Sequence, residues 1–268
     1  NKHLDFNAFL INLAPVVLII IPIALIYLVL IFRKQLITKQ ERVLELMAID
    51  ENKYLKDKKL MIKSLSVLGL VILAFILHSV FHMEPALVAI FGAAILMLIT
   101  VKDEHELEHI FARVEWITIF FFAGLFILVG GLIEIGLISL MAEKMLDFTQ
   151  GDIGLTASLI LWVSGIASAT IDNIPFVATM IPMIQDLAQQ MNLAVSSPEI
   201  NTLWWSLALG ACLGGNGTIL GASANVIVAG LAAREGKGFS YVQFLVIAAP
   251  LTLITLLISH AYIWLRYL

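Results

Sequence analysis

Apolar residues along this chain fall into blocks near 20 residues long, separated by short polar joints. About 20 residues of helix cross a hydrocarbon core of ~30 Å. The blocks therefore predict membrane spans at about Phe9–Phe32, Leu60–Phe81, Pro85–Val101 and Trp116–Leu140. A broken apolar pair follows at Ile153–Ala169 and Pro175–Ala188, then an interrupted span at Leu203–Ala232 and a last span at Tyr241–Leu265. The predicted fold is an all-α integral membrane protein. One long polar insert, Arg33 to Lys63, holds nine of the 16 basic residues, which places it on the cytoplasmic side by the positive-inside rule. Threading from there puts His82–Glu84 outside, Lys102 and Arg113 inside, Lys144 outside, and Arg234 and Lys237 inside. Counting the broken pair as two crossings or as one re-entrant hairpin gives the same parity.

Composition agrees with that pattern. Hydrophobic residues make up 60% of the 268 and charged residues 13%, about half the ~25% usual in a soluble domain. The net charge of −4 carries little weight, because in a membrane protein the placement of Lys and Arg matters more than their sum. Nucleic acid is not an expected partner; the lipid bilayer is. Cys212 is the single cysteine, so neither a disulfide framework nor a multi-cysteine metal site is expected within the chain. The first apolar block is too long for a cleaved signal peptide, and the chain begins at Asn1 rather than Met, so it reads as a fragment. Between Lys34 and Lys59 both charge signs mix with Leu44, Leu46, Met47 and Ile49, as expected of a helical connector or membrane-surface segment.

Two bilayer-length runs contain residues that lipid should exclude. The first is Ser168-Ala-Thr-Ile-Asp-Asn-Ile-Pro-Phe-Val-Ala-Thr179. An acidic side chain at membrane depth is costly unless paired, ion-bound or wet, which makes Asp172 a functional candidate. Pro175 lacks an N–H and clashes with the preceding turn, so it predicts a helix–turn–helix with Thr170, Asp172 and Asn173 near the break. The competing reading makes Asp172 an interfacial cap of a helix starting at Pro175. The second run, Leu213-Gly-Gly-Asn-Gly-Thr-Ile-Leu-Gly-Ala-Ser-Ala-Asn225, interrupts about 30 apolar residues with glycines and polar Asn216, Thr218, Ser223 and Asn225. Glycine permits positive φ and close backbone approach, amide and hydroxyl oxygens can replace a cation's water shell, and half-helix amino-termini can hold an anion. Small residues that merely let helices pack account for the glycines but not for two asparagines and an aspartate. Two broken segments in one half of a chain point to a transporter binding site.

At these residues the chain resembles the ion transporter superfamily, within it the ArsB/NhaD-type permeases with a citrate-transporter-like domain, and among those the melanosomal P protein group. The strings that carry the resemblance are Glu115-Trp-Ile-Thr-Ile-Phe-Phe-Phe-Ala-Gly-Leu-Phe-Ile127, Ser168 to Pro182, and Gly210 to Val226. The resemblance implies two inverted repeats, each with a re-entrant hairpin and a broken helix, and substrate bound between them. It implies that Thr170, Asp172 and Asn173 lie at the hairpin tip and Asn216, Gly217, Thr218, Ser223 and Asn225 around the broken helix. Each string occurs once here, so the chain reads as the carboxy-terminal half. Residues 1–33 would then link from a missing first repeat, 34–59 form the cytoplasmic connector, and 60–268 the second repeat, with the hairpin at about 153–190 and the broken helix at about 203–232. The missing repeat is an expected partner; looser analogy adds a homodimer.

His105-Glu-Leu-Glu-His109 fits the His-Glu-x-x-His zinc pattern, but it lies in the acidic joint Lys102–Glu115 with no third ligand nearby, so neither a protease nor a metal site at His105 and His109 is adopted. Glu134 near a span end reads as interfacial, and His78, His82 and Glu84 as a solvated external turn. Trp204, Trp205 and Tyr241 fit interfacial anchors, and Met61, Met97 and Met183 read as packing. The expectation is a multi-pass secondary transporter, not an enzyme, in the plasma (inner) membrane if prokaryotic. It would work by alternating access on a small inorganic or organic ion, with Na+ or H+ as coupling ion and no other cofactor. An arsenite or anion permease is the alternative, with a channel behind it.

Overall fold

A computed structural model describes residues 4–37, 44, 47–48, 55, 57–81 and 83–268. The expected connector at 34–59 and His82 therefore lie largely or wholly outside the described residues. All regular structure among the described residues is helical. The helices are α1 (Phe6–Phe32), α2 (Lys58–Phe81), α3 (Pro85–Thr100), α4 (Glu104–Ala112), α5 (Trp116–Glu134), α6 (Leu137–Thr149), α7 (Ile153–Thr170), α8 (Asn173–Gln190), α9 (Pro198–Gly214), α10 (Ser223–Arg234) and α11 (Tyr241–Tyr267). Five of them, α1, α2, α5, α7 and α11, are long and apolar enough to cross a membrane. The chain is a multi-pass integral membrane protein.

Short polar residues start these helices by satisfying amide groups that have no partner in the first turn. Asp5 accepts from Ala8 N–H (2.7 Å), Asp103 from Glu106 N–H (2.9 Å) and Asp152 from Leu155 N–H (2.6 Å). Asp57 accepts from Leu60 N–H (2.9 Å), and that bond holds its carboxyl below the ordinary value of 3.8. Ser197 precedes Pro198 at the head of α9, and Ser240 with Gln243 forms a reciprocal capping box on α11.

The chain divides into two compact units. The first, Asn1–Ile11 with Val29–Ile117, contains the α2–α3 pair. Val67 and Val88 are buried there, and Lys63 donates to the Ile99 carbonyl (2.7 Å), tying the head of α2 to the last turn of α3. The second, Asn12–Leu28 with Thr118–Leu268, holds the densest core, built from Ile160, Leu161, Met183, Ile184, Leu187, Ile200 and Leu203. Met183 thus packs as expected.

Two expectations are corrected. The span predicted to run from Trp116 to Leu140 stops at Glu134, because Gly136 adopts φ 74° and α6 restarts at Leu137 in a new direction. Trp204 and Trp205 are not interfacial anchors; they are 5% and 3% exposed inside the second unit, and Trp204 Nε1 donates to the Val195 carbonyl (3.3 Å). Tyr241, by contrast, is exposed at the head of α11.

Candidate functional site

The two breaks meet. α7 and α9 run parallel and in intimate contact, since a Cβ added to Gly210 would collide with the Leu161 carbonyl and one added to Gly214 would lie 2.6 Å from Gly165 Cα. Ser168 Oγ donates to the Ala211 carbonyl (2.6 Å), and Thr218 Oγ1 donates to the Ala169 carbonyl (2.5 Å). The carboxy-terminal ends of the two helices therefore lie side by side at one level. α8 starts at the end of α7 and must return to the head of α9, so it runs antiparallel to both.

The hairpin turn is only Ile171 and Asp172. Asp172 is half-buried and accepts from Ile174 N–H (3.1 Å), which caps α8 at Asn173 rather than at Pro175. The capping role is thus real, and it uses one carboxylate oxygen in one bond. Thr170 Oγ1 donates to the Ala167 carbonyl of its own helix (2.9 Å) and is exposed beside the turn. Asn173 is half-buried at the head of α8.

The second break is built in layers. α9 tightens into a 3-10 turn at Gly215–Gly217, the chain turns between an extended Thr218 and an extended Ala222, and α10 begins at Ser223 without a side-chain cap. Thr218 Oγ1 also accepts from Gly221 N–H (3.1 Å). Asn225 donates to the carbonyls of Gly215 (3.2 Å) and Thr218 (3.0 Å). Both side chains thus stitch the break to itself, satisfying backbone groups that lipid could not. Asn216 and Ser223 are exposed, Gly217 is buried, and Asn225 keeps its Oδ1.

No glycine here needs positive φ; the described glycines that use it are Gly136, Gly151 and Gly236. Close approach is what the break demands. A Cβ on Gly221 would sit 2.8 Å from the Ser168 carbonyl oxygen, and one on Gly215 would sit 2.7 Å from the Gly221 carbonyl oxygen.

Residue-by-residue reading missed Ser168, the Ala169 carbonyl and Thr252. Thr252 lies on α11 against Gly217, buried, its hydroxyl without a hydrogen-bond partner. Ser168 carried a signal, being a hydroxyl just before the Asp-Asn string; Thr252, a threonine in an apolar span, carried none.

The His105–His109 string forms α4, where His105 Nδ1 is 3.7 Å from Glu108 Oε2 on an exposed surface. Among the described residues no group of three or more His, Cys, Asp or Glu converges as a metal site.

The citrate transporter family matches residues 1–210. The chain belongs to this family. An uncharacterised transporter of Mycobacterium bovis is 42% identical over 264 residues, covering 98% of this chain and 60% of that protein. A 46 kDa membrane protein of Mycobacterium leprae is 40% identical over the same share of both chains. The P protein of Sus scrofa is 42% identical over 217 residues, 78% of this chain and 25% of that protein. The chain thus spans about 60% of the length of its mycobacterial relatives. No solved structure matches significantly.

Proposed function

We propose that this family member forms one half of the binding site of a secondary ion transporter that works by alternating access. The observation that carries the reading is the meeting of two broken elements, joined by the Thr218–Ala169 hydrogen bond, with Asp172 and Asn216 left at the breaks. Discontinuous helices of this kind put polar backbone and helix ends at mid-membrane, where ions are coordinated. Asp172 is the charge-carrying group, binding Na+ or exchanging H+ through the carboxylate oxygen that the α8 cap does not use. Asn173, Asn216, Ser223 and the Oδ1 of Asn225 supply uncharged ligands. The hairpin and broken helix move as a unit against the counterpart half of the full-length protein.

A second reading has its own support. The head of α10 has no side-chain cap, so its free N–H groups and dipole suit an anion, as does the family's name for a carboxylate substrate. In that case Asp172 holds the coupling ion instead.

Full-length protein in proteoliposomes with a pH-sensitive dye inside tests both. Sodium, chloride, citrate and arsenite gradients are applied in turn to wild type and Asp172→Asn. Coupled proton movement is expected in wild type and absent from the variant, whose amide still caps α8 and permits insertion. Unchanged coupled flux in Asp172→Asn would remove that residue from the mechanism. Conductance without saturation would indicate a channel.

A further inference from the structure

Away from the two breaks, one imidazole is held in a way that only its neutral form permits. His260 lies on α11 opposite Trp162 of α7, and Trp162 Nε1 is 3.3 Å from His260 Nδ1. An indole N–H is a donor only, so the imidazole nitrogen facing it must be bare, and His260 is the uncharged acceptor. Trp162 and Trp264 both lie 6.3 Å from the His260 ring centroid, tilted at 49° and 38°. Trp264 Nε1 in turn donates to Ser158 of α7 (3.2 Å). Two indoles, one imidazole and the Ser158 hydroxyl thus form a polar patch in the seam between α7 and α11.

We propose that His260 is a proton-binding site and that its protonation resets how α7 is fastened to α11. Adding a proton to Nδ1 turns the acceptor into a second donor facing the Trp162 N–H, and that hydrogen bond must break. The imidazolium is then drawn toward the faces of the flanking indoles, which attract cations. The rearrangement acts on α7, whose far end carries Ser168, Ala169 and Asp172.

The charged and titratable groups on the surrounding elements do not compete for this role. α7 has no charged residue of its own beyond its cap Asp152, whose carboxylate is bonded to Leu155 N–H. α9 has Glu199 in its first turn and Cys212 near its other end. On α1, Tyr27 donates to the Ile247 carbonyl of α11 (2.9 Å). On α11 itself, Arg266 donates to the Tyr262 hydroxyl (2.6 Å) and lies over the Tyr262 and Tyr267 rings. Tyr262 and Tyr267 in turn bond to Asn12 of α1. Each named contact of these groups goes to a partner other than His260.

The link to transport rests on the function proposed above, while proton binding at His260 is independent of it. Tryptophan emission of the full-length protein is followed from about pH 8 to about pH 5 in wild type, His260→Gln and Trp162→Phe. A protonated imidazole quenches an adjacent indole, so wild-type emission is expected to fall on acidification. His260→Gln, whose amide oxygen accepts from Trp162 at every pH, is expected to lose the change, and Trp162→Phe to reduce it. Emission in wild type that does not respond to pH, or that responds equally in His260→Gln, overturns the proposal. Flux measured across the same pH range separates the two claims. Flux that is pH-dependent in wild type and flat in His260→Gln supports both. An emission change lost in His260→Gln, with no flux in any protein, leaves the proton site standing and removes the transport reading.

Discussion

Asn216 and Asn225 look alike in the sequence but have different duties. Asn225 spends its amide hydrogens on the carbonyls of Gly215 and Thr218, whereas Asn216 is exposed beside them. Asn225→Leu should cost about 1–3 kcal/mol by leaving those carbonyls unpaired, read as a lower melting midpoint in detergent. Asn216→Leu should leave the midpoint in place and lower substrate affinity in flux assays; a matching loss of stability would show that Asn216 is structural too. A carboxylate outside the membrane offers a simpler test. Because the folded state depresses the Asp57 carboxyl below 3.8, its stabilisation of the head of α2 is full above the unfolded value. It is lost as pH falls through the lower folded one. Amide protection at Leu60 and Met61, corrected for intrinsic exchange, should therefore drop in wild type between about pH 6 and about pH 3, and be low and flat in Asp57→Ala.

The pairing of α7 with α9 depends on glycine where backbone faces backbone. Gly214 meets Gly165 with no side chain between them to yield, so Gly214→Ala must push the helices apart. Overpacking of this kind costs about 1–3 kcal/mol, and here it should also disturb the Thr218–Ala169 bond that joins the two breaks. Thermal melting and flux should fall together; normal values of both in Gly214→Ala would show that the helix contact is looser than the geometry indicates. The existence of this pair was not legible beforehand. The sequence showed that each run is interrupted, from Pro175 in one and the glycine cluster in the other. It did not show that the interruptions touch, because contact between α7 and α9 depends on residues some 45 positions apart. Helix ends were read less well for a similar reason: hydropathy carried the α5 span through to Leu140, while the backbone turned at Gly136. Trp204 and Trp205 look like interfacial anchors by type, and only packing by the rest of the second unit buries them.

For the whole chain, the distribution of Lys and Arg predicts an orientation in the bilayer. Single cysteines placed at Lys53 and at Lys144 in a Cys212→Ser background should react with a membrane-impermeant maleimide from opposite sides, Lys53 from the cytoplasm. Labelling of both from one side would overturn the threading. Membrane residence, helical class, the approximate spans and the two interrupted runs were all decided by local composition, because lipid forces each segment to satisfy its own backbone and bury its own length. The resemblance of the Ser168–Pro182 and Gly210–Val226 strings to a transporter family was legible for the same reason: it resides in contiguous residues. Which polar atoms remain for a ligand was not. That Thr218 and Asn225 brace the break, that Asp172 caps α8 with one oxygen, and that His260 faces Trp162 and Thr252 faces Gly217 are facts of through-space pairing. Hydrogen-bond partners are chosen among groups that folding brings together, and no local pattern records that choice.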